Sequence, residues 1–253
     1  MTKPDVPSYL RSLAAEAVLE LWRVASQGGN AARLVLPRYR NGKLRVSEQE
    51  ARSIVQRLIA SHEHFYFSIE TPTPKITGKG RSGLHDLSLH SSYDGNSIEA
   101  HAEFKQGYGS GEAGIKVIEK DLIKLIDSAK HSSAKHSLWF HSFPKLTKHE
   151  FDKLRVLFLE ALDRAFQRSQ PPPEARVVLA FCAVMAADAW LAGPVSWAEV
   201  CELIDRFPFV ASPHHPAWER CKPPVSMPKL VEKIELVDLE EPMDPEEPGG
   251  GGG

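Results

Sequence analysis

The chain has 253 residues, 25% of them charged and 42% hydrophobic, with a formal net charge of −2. These values suit one large or two small globular domains with a buried core, and the overall charge alone points to no special partner. Its three cysteines, Cys182, Cys201 and Cys221, are scattered and form no CxxC pair, which argues against a disulfide scaffold or a zinc ribbon and for a reducing compartment.

Residues 8–26 repeat Leu, Ala, Val and Trp at helical spacing and stop at Gly28-Gly29. A basic connector, LVLPRYRNGKLRV, follows over 34–46, with Asn41-Gly42 as a turn signal. Ser47 and Glu50 fit a capping box that opens a second helix, with Ile54, Val55, Leu58 and Ile59 as its apolar stripe. Three strand patterns come next, 65–70, 84–90 and 97–105. Asp94-Gly95 predicts that the last two form a hairpin. The loop before them, TPTPKITGKGR, is rich in Pro, Gly and basic residues.

After the glycine-rich GYGSGEAG (107–114), residues 115–129 predict a helix with Ile115, Ile118, Leu122, Leu125 and Ile126 inward. SLWFHSF (137–143) reads as a fourth strand. Thr147 and Glu150 cap a long helix to about Gln167. Beyond Pro171-Pro172-Pro173 the pattern predicts helices over 175–192 and 197–207, then the irregular PHHPAWERCKPP. The apolar run at 177–192 contains Asp188 and is short for a bilayer span, which needs roughly 20 residues. The acidic, glycine-ended tail 240–253 has the composition of a disordered segment. The expected organisation is therefore an N-terminal helix and connector (1–46), an α/β core (47–168), a helical C-terminal region (174–239) and the tail.

Charge is uneven along the chain. Residues 1–155 carry 23 Lys and Arg against 17 Asp and Glu, while residues 156–253 carry 8 against 16. A basic front part fits an anionic ligand such as nucleic acid. The first residues, MTKPDVPSYL, lack the basic-then-apolar pattern of a signal peptide, so a cytoplasmic protein is expected.

Alternation assigns the strand faces. Ile98, Ala100, Ala102 and Phe104 oppose Glu99, His101, Glu103 and Lys105; Leu87 and Leu89 oppose Asp86, Ser88 and His90; Phe65, Phe67 and Ile69 oppose Tyr66, Ser68 and Glu70. If the apolar sets share a core, Glu70, Asp86, Glu103 and Lys105 share the opposite face. Carboxylates in that arrangement suit Mg²⁺ or Mn²⁺, hard cations that take oxygen ligands, with the Phe104 carbonyl as a further donor. Lys105 can orient a water or stabilise charge on a phosphate. The plainer reading of the same residues is a set of cross-strand charge pairs on a solvated face. His62, His64, His85, His90 and His101 match no zinc spacing.

Asp86, a hairpin, then Glu103-Phe104-Lys105 resembles the PD-(D/E)XK phosphodiesterase superfamily, with its restriction-endonuclease-like α/β core of helix, three strands, helix, strand. The resemblance covers about 100 residues. It implies a metal-dependent nuclease in which Asp86 and Glu103 bind metal and Lys105 activates or positions water. It also implies an acid on the preceding helix, for which Glu50 is the candidate, although its plain role is the cap; Glu70 is the other candidate acid. The usual Pro before the motif Asp is His85 here. Lys75, Lys79, Arg81 and His101 are candidate nucleic-acid contacts. The expected substrate is nucleic acid, DNA ahead of RNA, with a protein partner or a second copy at the C-terminal region and no membrane. A restriction or antiphage defence role is expected by analogy, and a non-catalytic binding or assembly module is the alternative.

Overall fold

Strands that are apolar on both sides determine the architecture. The computed structural model describes residues 3–26, 34–37, 40, 44–73, 83–107, 109–145, 147–207 and 216–223. Among these residues seven strands form one sheet in chain order: β1 (Tyr66–Pro72), β2 (Leu84–His90), β3 (Ile98–Gln106), β4 (His136–Phe143), β5 (Arg176–Ala183), β6 (Asp188–Ser196) and β7 (Trp218–Cys221). β1–β2, β2–β3, β5–β6 and β6–β7 are antiparallel; β3–β4 and β4–β5 are parallel. Parallel neighbours need a crossover, and the two here are helical. Five α-helices lie among the described residues: α1 (Val6–Ala25), α2 (Glu48–His62), α3 (Gly111–His131), α4 (Lys148–Arg168) and α5 (Val200–Asp205). The two crossovers are α3 and α4.

Alternation along the central strands gives each side of the sheet its own core. Leu138, Phe140, Val178, Ala180 and Leu191 pack with α1 and α2. Trp139, Leu179, Phe181 and Trp190 pack with α3, α4 and α5. The result is a mixed α/β fold with a mostly antiparallel sheet between two helical layers. Among the described residues no helix is long and apolar enough to cross a membrane.

Local signals place most boundaries. β2 spans the expected residues, and the capping boxes of Ser47 with Glu50 and of Thr147 with Glu150 both form. The expected helix over 175–192 is instead β5, a 3₁₀ turn over Val184–Ala186 and β6. Its residues are apolar without a gap because β5 and much of β6 are buried on both faces, so no period-2 alternation remains in the sequence. The helix expected at 197–207 is a 3₁₀ turn followed by the six-residue α5. Part of the segment read as irregular is β7, paired with β6. The described part of the C-terminal region therefore adds three strands to the sheet and little helix. The Asn41-Gly42 turn, the 74–82 part of the basic loop with Lys75, Lys79 and Arg81, and the acidic tail lie outside the described residues.

The glycine-rich segment is packed tightly. A Cβ on Gly114 would meet the Gly109 carbonyl carbon at 2.8 Å, backbone against backbone. In a free helix Gly→Ala would help by about 1 kcal/mol. Here the close approach reverses the sign, and Gly114→Ala is expected to lose about 1–3 kcal/mol in urea denaturation.

Candidate active site

The site is built where β2 stops pairing with β3. Their register runs as far as Leu87 opposite Ala102. Beyond it, Asp86 Oδ2 takes the place of a ladder carbonyl and accepts the Phe104 backbone N–H at 2.8 Å. N–H and C=O of one residue leave an extended strand on the same side, so the Phe104 carbonyl faces this gap as well.

Glu103 is completely buried. Its Oε1 lies 2.9 Å from His85 Nδ1 and its Oε2 accepts from Lys124 Nζ at 2.7 Å. His85 Nε2 is 2.6 Å from Ser128 Oγ on α3. Lys124 also donates to the Leu84 carbonyl at 2.9 Å and lies 2.6 Å from Asp121 Oδ1. Asp121 Oδ2 in turn holds the Lys105 ammonium at 2.7 Å, and Glu48 Oε1, at the start of α2, lies 3.7 Å from it. A continuous chain of charges thus runs Glu48, Lys105, Asp121, Lys124, Glu103. With Asp86, four carboxylates face two ammonium groups.

Burial first, and then the charges packed around each group, shift the titration of the cluster and of the imidazoles beside it. Burial pushes the Glu103 carboxyl well above its usual range, the Asp121 and Asp86 charges add to that, and Lys124 opposes it. Glu48 is raised by burial and by Asp86 and Asp121, against Lys105. Burial alone would lower Lys105 and Lys124, but their carboxylate partners outweigh it and both are raised. His85 is pushed down to about 2, by burial first and then by His101 and Lys124. His101 is pushed down to about 3, by burial and by His90. A neutral His85 can donate from Nδ1 to Glu103 and accept the Ser128 hydroxyl at Nε2.

The structure gathers Asp86, Glu103 and Lys105. Glu50 is not with them: its carboxylate accepts the Ser47 N–H at 2.8 Å and completes the α2 cap. Glu70 is exposed, and its φ of 53° breaks the strand alternation on which its expected position rested. His101 is buried, with Nδ1 2.7 Å from Ser88 Oγ and its ring stacked on His85 at 3.8 Å. It is a wall of the site and offers no exposed contact. His62, bonded to Tyr9 and Glu16, belongs to the α1–α2 side.

Sequence reasoning missed Glu48, His85, Asp121 and Lys124. Asp121 and Lys124 flank the inward stripe of α3 at a spacing of three, a signal that was present in the sequence. His85 was concealed because strict alternation puts it with Leu87 and Leu89, whereas it lies on the α3 side with Glu103. Among the described residues, no group of three His, Cys, Asp or Glu side chains is arranged to hold a metal ion.

Compared with protein-family models, curated proteins and solved structures, the chain finds no match.

His141 offers a clean test of the buried imidazoles. It lies beside Lys105 on the α3 side, its Nε2 bonded to the Gly107 carbonyl, and burial pushes it down to about 3. A histidine with a lowered folded pKa stabilises the fold above its unfolded value of 6.5. That contribution is lost as pH falls below 6.5, because the unfolded chain takes the proton first. His141→Gln keeps an N–H donor at the ε position for the Gly107 carbonyl. It is expected to flatten the fall in unfolding free energy below pH 6.5 by up to about 1.4 kcal/mol per pH unit, read by urea titration at successive pH values.

Proposed function

We propose that this chain is a metal-dependent nuclease that hydrolyses phosphodiester bonds, with DNA ahead of RNA as substrate. The observation that carries the reading is the charge cluster where β2 and β3 part: Asp86 acts electrostatically on both Glu103 and Lys105, and the fully buried Glu103 carboxylate is paired with Lys124, which Asp121 links to Lys105. The element order α2, β1–β3, α3, β4 supports the resemblance to the PD-(D/E)XK superfamily and its restriction-endonuclease-like core. A role in restriction or antiphage defence rests on that resemblance alone.

The donors suit a hard divalent cation. They are carboxylates and a backbone carbonyl, and when fully ionised the four carboxylates exceed the two ammonium groups by two negative charges. Asp86, Glu103 and the Phe104 carbonyl are the groups that would hold Mg²⁺ or Mn²⁺. Bound there, the ion would supply Lewis acidity and neutralise phosphate charge.

The chain's own residues divide the remaining work. Lys105, anchored by Asp121 and raised in pKa, stays charged at neutral pH. It therefore acts as an electrostatic donor to the phosphate, and a general-base role does not suit it. Glu48 is the helix acid beside it, two residues before the capping Glu50, and its raised pKa brings it toward the range useful to a base. His85 and Ser128 fix the orientation of Glu103. A purely structural ion-pair network is the competing reading, favoured by the fact that both Glu103 oxygens already have partners.

Two experiments separate them. Plasmid and single-stranded substrates incubated with Mg²⁺ or Mn²⁺ are expected to be cut by the wild type, and about 100-fold or more slowly by Asp86→Asn and by Lys105→Met. Equal cleavage by all three proteins removes these residues from the chemistry. The second reads binding without turnover. The Lys124 ammonium occupies oxygens that a cation needs, so Lys124→Met is expected to tighten Mn²⁺ binding by about tenfold in calorimetry. An unchanged affinity means that Glu103 is not a ligand.

A further inference from the structure

A cavity of about 690 Å³ opens where β1 begins and β2 ends, remote from the charged cluster, and its walls include Glu63, Phe65, Tyr66, Phe67, His90 and Tyr93. Among the described residues β1 is an edge of the sheet. Tyr93 is 88% exposed and Tyr66 52%, with their rings 5.9 Å apart and nearly perpendicular. Neither ring belongs to either hydrophobic core. His90, by contrast, is buried; its Nε2 lies 2.7 Å from Ser68 Oγ, and its Nδ1 has no partner among the described residues. A buried ring nitrogen without a partner is costly, and this residue lines a cavity.

The geometry points to a site for an unpaired nucleobase of a single-stranded nucleic acid. This deepens the nuclease reading and rests on it. Aromatic faces stack on any base. No Lys or Arg is among the described residues lining the cavity, and Glu63 is, so the walls suit the base and repel its phosphate. The amino and imino N–H groups of a base edge can donate to the exposed Glu63 carboxylate. Position supports the same occupant. Tyr66 stands opposite His90 and Ser68 opposite Ser88 in the β1–β2 register, and Ser88 bonds His101, which stacks on His85 beside Glu103. His90 is four residues along β2 from Asp86, roughly 13 Å at the usual rise, so one strand can reach both.

The test uses the full chain in EDTA, so that nothing is cut, with a fluorescein-labelled 12-nucleotide DNA single strand and its duplex as probes in anisotropy titrations. Tyr93→Ala is chosen because that side chain is almost wholly exposed. It is expected to weaken single-strand binding by about tenfold and leave duplex binding unchanged, with Tyr93→Phe restoring the wild-type affinity. The inference is overturned if wild type and Tyr93→Ala bind the single strand equally, if the wild type binds none, or if tetramethylammonium displaces the strand. Single-strand binding that depends on Tyr93, without any cleavage when Mg²⁺ is added, keeps the base site and rejects the nuclease. Cleavage that depends on Asp86 and Lys105, with Tyr93→Ala binding as the wild type does, does the reverse.

Discussion

One buried carboxylate constrains this molecule more than any other group. Glu103 sits in a central strand with no solvent exposure, where an unpaired charge would be prohibitive. It is tolerated because Lys124 and His85 each occupy one of its oxygens. Both partners tie other elements down. Lys124 joins α3 to the Leu84 carbonyl at the start of β2, and His85 joins β2 to Ser128 of α3. Removing a single partner of a buried pair typically costs about 3–5 kcal/mol, so the position of α3 over the sheet and the state of Glu103 are coupled.

The two cores explain why such a cluster can exist only on one side. On the α1–α2 side, Leu87, Ala102 and Phe104 continue the apolar packing without interruption. On the other side, α3 and α4 cover β4 and β5 with aromatic and aliphatic contacts, while the neighbouring β2 and β3 present His85, Ser88, His101 and Glu103 to α3. The polar wedge therefore lies at the edge of the second core, with Lys105 and Lys124 reaching it from opposite elements. Asp86 lies at the seam, and its bond to Phe104 N–H holds the end of the ladder together where a carbonyl partner runs out.

The front half of the fold was legible because its signals are local. Capping boxes at Ser47 and Thr147, the Asp94-Gly95 turn and the two-residue alternation of β3 each depend on a few neighbouring residues. The back half was not, because burial on both faces erases alternation: VVLAFCAVMAADAWLA supports a helix and a strand hairpin equally until β4 is known to lie beside β5. The site divided in the same way. Glu103 and Lys105 follow from one strand's periodicity. His85 needed the departure from alternation at the end of β2, and Glu48 needed the position of the first turn of α2 against Lys105. The same capping box that correctly placed α2 drew attention to Glu50, whose carboxylate is committed to the helix end.

A purely structural explanation of the cluster meets a quantitative difficulty. Buried ion pairs seldom stabilise more than well-packed apolar residues of the same volume would. Four carboxylates against two ammonium groups is worse than a matched pair, because burial first, and then the neighbouring carboxylates, raise the titration of Glu103 and Glu48 and weaken each acid's ionised form. A chain selected for stability alone would not keep Asp86, Glu103 and Asp121 around so few cations. The surplus does suit a site that receives positive charge from outside and must hold oxygen donors ready for it, with Lys105 kept protonated by Asp121 to meet an anion on the other side. Destabilisation tolerated at one place beside two largely apolar cores is the pattern expected of a functional site.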